Sequence, residues 1–234
     1  IVSLKAAERR VLEESLLERK SVLASYGETN FKNERLEEVK EFFKNHFLQN
    51  INSKSNFSEF VANGNNSNLM GELLNRADLQ VRGYEEGGDA LYFSHETTQG
   101  RFSLPVKEES VGTQRYFGLT GVVAKLVESG HSVAIDELET SLHPDLVSYL
   151  IEVFLINSSK SQILATTHAQ YLLESDYIRR DMVWFCEKES GGGSEYYSAQ
   201  DFGLHKNINL RNFYRAGKLG GVPILGSPLM KGNK

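Results

Sequence analysis

Two adjacent carboxylates, Asp136 and Glu137, end the apolar run Ser132-Val133-Ala134-Ile135. Carboxylate oxygens are hard ligands suited to Mg2+, an ion that keeps several of its own waters, so Asp136 could hold such an ion through water. Glu137 beside it could orient and polarise a water molecule as a general base. A plainer reading of the same residues is a buried strand that stops at a solvated acidic turn. A second apolar run, Ile163-Leu164-Ala165, ends in Thr166-Thr167-His168, which gives another strand end carrying hydroxyls and a histidine. Alone, Thr167 would be a helix cap and His168 a first-turn residue; beside two carboxylates, the two strand ends could meet at one site.

A third group lies upstream, in Glu109-Ser110-Val111-Gly112-Thr113-Gln114-Arg115. A serine hydroxyl, a glycine that lets backbone approach closely and exposed amides at a helix start together suit an anion. The competing reading is Ser110 as a plain N-cap, in a capping box that lacks its usual acid.

The elements that must position these groups follow from periodicity. From Ser110 onward helices and strands alternate, the mark of an α/β layer, with a helix over 111–127, a strand over 132–135, a helix opened by Pro144 and a strand over 163–166. Open α/β sheets bind ligands beyond the carboxyl ends of their strands, where both candidate clusters would fall. Upstream, Leu36, Val39, Phe42, Phe43 and Phe47 recur at helical spacing and predict an amphipathic helix over 33–47. The stretch 50–68 is rich in Asn, Ser and Gly and reads as a loop, followed by a short helix over 69–76. Runs at 79–84, 90–95 and 101–104 predict an antiparallel meander, and 182–187 with 195–198 a hairpin around Gly191-Gly192-Gly193. The segment 1–20 carries only a loose helical stripe, and the tail after Gly217 reads as irregular.

The order of these pieces is specific: capped loop, helix, acidic strand end, Ser141-Leu142-His143-Pro144, helix, then strand and His168. It resembles the C-terminal half of an ABC-type ATPase, with Ser132–Glu137 in the form of a Walker B motif, 109–115 like the signature loop, 139–143 like the D-loop and His168 as the switch histidine. The likeness is to the ABC-type ATP-binding proteins of bacterial phage-defence operons, such as Septu and retron-associated ATPases and abortive-infection proteins. It spans about 31–225, including Arg179-Arg180-Asp181-Met182-Val183-Trp184-Phe185, Tyr214-Arg215-Ala216-Gly217 and Gly220-Gly221-Val222-Pro223. His143 stands where many such ATPases carry Asp, a departure that bears on the D-loop contact.

The resemblance implies ATP and Mg2+ as cofactors, with Asp136 on the metal and Glu137 and His168 catalytic. Ser110, Gly112, Thr113, Gln114 and Ser141 would bind nucleotide across the interface of a homodimer or higher oligomer. Closure of that interface would control a nuclease or toxin effector. The expected fold is the α/β C-terminal lobe of a P-loop ATPase, divided into a helical and antiparallel-β portion over 1–104 and a catalytic lobe over 105–234. The sequence holds no Gly-x-x-x-x-Gly-Lys-Ser/Thr. Since it begins with Ile1 rather than Met, the phosphate-binding (Walker A) half is expected upstream or on another chain, and these residues alone are expected to be inactive. Two alternatives stand beside this reading: a nucleotide-free interaction module, and a chromosome-maintenance or DNA-repair ATPase. The latter needs long heptad coiled coils, and 33–47 is far too short for one.

Composition sets outer bounds. A net charge of −5 argues against a surface devoted to nucleic acid, although a local basic patch would escape that count. The lone Cys186 excludes an internal disulfide framework and a Cys-based zinc cluster, which fits a cytoplasmic protein. No apolar run is long enough to span a bilayer, and the charged N-terminal residues do not read as a signal peptide.

Overall fold

A computed structural model describes residues 4–16, 21–27, 29–30, 32–51, 67–77, 79–88, 90–189 and 191–223. Its centre is helix α5, Val111–Ser129, buried on nearly all sides from Tyr116 to Ala124 and at Leu126. That pattern requires neighbours all round. Ser110 caps its start, accepting a hydrogen bond from the Thr113 amide, and Gly130 ends it in the left-handed region at φ 65°.

Beside α5 lies a parallel three-stranded sheet in the order β1–β5–β6, made of Phe47–Ile51, Ser132–Ile135 and Gln162–Ala165. The registers Ile51↔Ile135 and Ile135↔Ala165 bring all three carboxyl ends level. Parallel strands need crossovers, and helix α6, Pro144–Asn157, returns the chain from β5 to β6. Pro144 occupies its first turn, and the His143 side chain caps it by accepting from the Asp145 amide at 3.3 Å.

A separate antiparallel meander, β2–β3–β4, runs through Val81–Gly87, Ala90–Thr97 and Gly100–Pro105. Helix α4, Ser67–Arg76, packs on it and on α5. One apolar core joins these pieces, from Ile51, Met70 and Leu74 through Phe93 and Phe117 to Leu150 and Leu172, so residues on both sides of position 104 share it. The strands β7 (Trp184–Lys188) and β8 (Ser194–Ser198) form a hairpin whose smaller core includes Phe185, Leu210 and Leu219. Leu210 opens the short helix α7, Leu210–Arg215. At the other end of the chain, α1 (Ala6–Leu16), α2 (Val22–Gly27) and α3 (Glu34–Asn45) meet around Leu12, Tyr26 and Leu36.

Three sequence expectations change here. The helix over 33–47 stops at Asn45, and Phe47 opens strand β1 instead. Its apolar face is largely uncovered, since only Leu36 is buried and Val39, Phe42 and Phe43 are 40–48% exposed. The segment 1–20, unassigned from its pattern, contains α1. Of the loop expected over 50–68, residues 50–51 belong to β1 and 67–68 to α4, while 52–66 lie outside the described residues, as does the tail from 224.

Candidate active site

The carboxyl ends of β5 and β6 meet through one side chain. Thr166 follows β6, and its hydroxyl donates to Asp136 Oδ1 at 2.5 Å while accepting from the Glu137 amide at 3.0 Å. Backbone bonds close the same junction, with the Thr166 amide on the Ile135 carbonyl (2.9 Å), Leu138 on Thr166 (3.1 Å) and Asp136 on Ile51 of β1 (2.6 Å). Asp136 and Glu137 are exposed at this rim.

The turn after β5 is held in unusual geometry. Glu137 has φ 51° and Ser141 φ 62°, two of the three non-glycine residues in the left-handed region among those described. Each such conformation costs roughly 1–3 kcal/mol and persists only where surroundings enforce it. The enforcing contacts are visible. The Thr140 hydroxyl donates to Glu137 Oε2 at 3.2 Å, and the Thr140 and Leu142 amides close turns on Glu137 and Glu139. From the neighbouring helix, Arg115 reaches over and donates from Nη2 to the Glu137 carbonyl at 3.2 Å. Arg115 is only 4% exposed. Burial pulls its pKa down, while the nearby charges of Glu137 and Glu139 pull the other way.

Glu139 ties the turn to the histidine segment. Its carboxylate accepts from the Thr167 hydroxyl at 2.5 Å and from the His168 amide at 2.8 Å. Burial pushes the Glu139 pKa up, but the bonds from Thr167 and His168 and the charge of the His168 ring outweigh it and hold the carboxyl below its ordinary range. The His168 backbone is thereby fixed against the acidic turn, with the residue itself exposed.

The capped loop completes the rim. Ser110 Oγ accepts from the Thr113 amide at 3.0 Å and lies 2.8 Å from the Thr113 hydroxyl. The Gln114 side chain turns back to the Glu109 carbonyl at 2.8 Å. Gly112 faces the acidic turn so closely that an added Cβ would stand 2.7 Å from the Ser141 carbonyl oxygen. Ser110, Gly112, Thr113 and Gln114 thus form one turn against Ser141, and Arg115 links that turn to Glu137. The N-cap reading of Ser110 is what its hydrogen bonds show.

Thr166, Glu139 and Arg115 are site residues that the sequence reading did not single out. All three lie inside the motif stretches, but their polar roles depend on which groups the fold brings within reach. Among the described residues no group of three His, Cys, Asp or Glu could hold a metal ion. The donors that are present suit Mg2+, which is bound through one or two carboxylates and its own waters. Here the exposed Asp136 carboxylate, steadied by a hydroxyl, is such a donor. Among the described residues no helix is long and apolar enough to cross a membrane.

A parallel sheet with acids and hydroxyls at the carboxyl ends of adjacent strands, and a helix start beside them, is an arrangement that suits a nucleotide-binding ATPase domain. The family model described as "AAA domain, putative AbiEii toxin, Type IV TA system" matches residues 4–174, and the chain belongs to that family. No curated protein sequence matches it. Among solved structures, one reported under "Structural biochemistry of ATP-driven dimerization and DNA stimulated activation of SMC ATPases" is similar over 70% of this chain and 94% of that one, with 14% identity and a TM-score of 0.44.

Proposed function

We propose that this chain carries the hydrolytic end of an ATP site, and that ATP binding and hydrolysis across a subunit interface drive a conformational switch. The observation that carries the reading is the Thr166 hydroxyl bridging the Asp136 carboxylate and the Glu137 amide, which makes two strand ends one polar site. Asp136 would hold Mg2+ through water; when bound, the ion neutralises charge on the terminal phosphates. Glu137, set apart from Asp136 by its left-handed backbone, would orient the attacking water. His168, fixed through its amide, would offer its ring to the γ-phosphate.

The turn formed by Ser110, Gly112, Thr113 and Gln114, with Ser141 against it, would face the nucleotide held by a second subunit of a homodimer. The phosphate cradle with its lysine would come from outside these 234 residues, which contain no Gly-x-x-x-x-Gly-Lys-Ser/Thr. The division at 104/105 would separate the helical and antiparallel-β portion from the catalytic lobe, although strand β1 of the first portion pairs with β5 of the second. In a cytoplasmic phage-defence setting, the switch would hold or release a nuclease or toxin. The absent lysine motif also favours a second reading, a nucleotide-free interaction module.

Subunit mixing tests the composite site. A Ser110→Arg variant is combined with a variant lacking the phosphate-loop lysine, so that mixed dimers carry both lesions in one site and leave the other intact. About a quarter to a half of normal ATP hydrolysis should return, since random pairing makes roughly half the dimers mixed. No recovery despite demonstrated subunit exchange contradicts independent composite sites.

A further inference from the structure

The turn before α5 is anchored on one side by a contact that the acidic turn does not explain. His95, on β3, places Nε2 2.6 Å from Glu109 Oε1, and the two side chains are only 9% and 11% exposed. The imidazole is stacked on Phe102 of β4, with centroids 5.1 Å apart and rings 12° from parallel. Glu109 is held a second time through its carbonyl, which accepts from the Gln114 side chain at 2.8 Å. Its own amide closes on Val106 at 3.2 Å. The residue immediately before the Ser110 cap is therefore clamped between the antiparallel meander and the first turns of α5.

A shielded polar pair of this kind contributes little net stability compared with an apolar pair of similar bulk, because desolvation offsets the attraction. What it supplies is direction. A hydrogen bond fixes both angle and distance, whereas apolar packing fixes only proximity.

We propose that His95 is a positioning residue that acts through Glu109 to set the orientation of the Ser110–Thr113 turn, so that the β2–β3–β4 meander is mechanically tied to that turn. The functional half of this inference rests on the proposed role of the turn at a nucleotide phosphate. The structural half, that the His95–Glu109 bond orders the turn, does not. A displacement of β3 relative to α5 would reach Ser110 through this side-chain pair, beside the chain that runs from β4 through Val106–Glu108 to Glu109, which gives the meander a direct hold on the loop.

The test uses the full-length protein with a double variant, His95→Phe with Glu109→Leu, beside Glu109→Gln alone. Replacing both partners by apolar groups of similar shape is close to neutral for stability, so the double variant should melt like the parent. Amide exchange at Thr113 and Gln114 should nevertheless quicken about tenfold, with α4 and α6 unchanged, because only the local opening is favoured. ATP turnover should fall about tenfold in kcat with KM moved less than about twofold, the signature of an interaction used in the transition state. Glu109→Gln, whose amide oxygen can still accept from His95, should retain parental exchange and turnover.

Parental exchange and kcat in the double variant would overturn the proposal, as would loss spread evenly over α4, α5 and α6. If the double variant does not fold, Glu109→Leu alone carries the same exchange and turnover expectations and the same overturning results, with a lower melting temperature because His95 loses its partner. If the parent shows no ATP turnover, the proposed function fails, while the exchange experiment still decides whether His95 orders the turn.

Discussion

An added Cβ at Gly112 would lie 2.7 Å from the carbonyl oxygen of Ser141, so the loop that opens α5 and the turn that follows β5 touch where no larger residue fits. The obstacle is backbone, held in turn by the left-handed Ser141, and cannot swing aside as a flexible side chain would. Gly112→Ala is expected to destabilise the protein by about 1–3 kcal/mol, the usual cost of forcing a methyl into a packed contact. Urea unfolding measures it directly, and a loss below about 0.5 kcal/mol would mean the two turns separate freely.

Thr166 is expected to matter through its hydroxyl alone. Thr166→Val keeps the branched shape and removes both the bond to Asp136 and the acceptor for the Glu137 amide. Partners that orient a metal-binding carboxylate are typically worth 10–100-fold in metal affinity or activity. Titrating Mg2+ into an ATP hydrolysis assay should show a drop of about that size, and Thr166→Ser should restore most of it.

Glu139 should give stability a definite dependence on pH. Its folded pKa is held below the ordinary value, so its contribution is fully present above about pH 4.3 and is lost as the pH falls through the folded value. At pH 7 Glu139→Gln should cost about 1.5 kcal/mol, the low end for bonds to a charged group, since the carboxyl is only half-buried. The gap between variant and parent should narrow as the pH drops below about 4. A gap that stays constant from pH 7 to 3 would show that the carboxylate charge is irrelevant to the Thr167 and His168 contacts.

Tyr171 offers a gain. Its hydroxyl is buried with no hydrogen-bond partner among the described residues, and burial, with the charges of Glu139 and Asp145, raises its pKa. Tyr171→Phe removes an unsatisfied polar atom and leaves the ring in place, so stability should rise by about 1 kcal/mol. Thermal melts of the two proteins decide it, and a lower melting temperature in the variant would reveal a partner for that hydroxyl.

The α/β core was legible because its signals are local. Ser132–Ile135 is an apolar run ended by acids, Pro144 sits in a first turn, and Ser110 is a cap residue before a long apolar stretch. Strand β1 was hidden because Phe47 extends the helical spacing of Phe43, and no glycine or proline marks the break at His46. The same helix shows that periodicity identifies a face without saying whether anything covers it, as Phe42 and Phe43 remain exposed. At the site, the meeting of the two strand ends was legible, but not the side chains that join them, Thr166 on Asp136 and Thr167 on Glu139, nor those that grip backbone. Arg115 on the Glu137 carbonyl and Glu139 on the His168 amide depend on how α5 and β6 approach the acidic turn, which residue spacing does not encode.

Glu137 is the group proposed to prepare water for attack beside Asp136. The most direct measurement is steady-state ATP hydrolysis and ATP binding by the full-length protein and its Glu137→Gln variant. An amide preserves the shape, including an acceptor for the Thr140 hydroxyl, but cannot polarise water as a carboxylate does. The predicted result is a loss of at least about 100-fold in kcat, at the low end of what a positioned general base contributes, with ATP affinity within about threefold of the parent. Hydrolysis near the parental rate in Glu137→Gln would contradict the assignment of this strand end as the catalytic one.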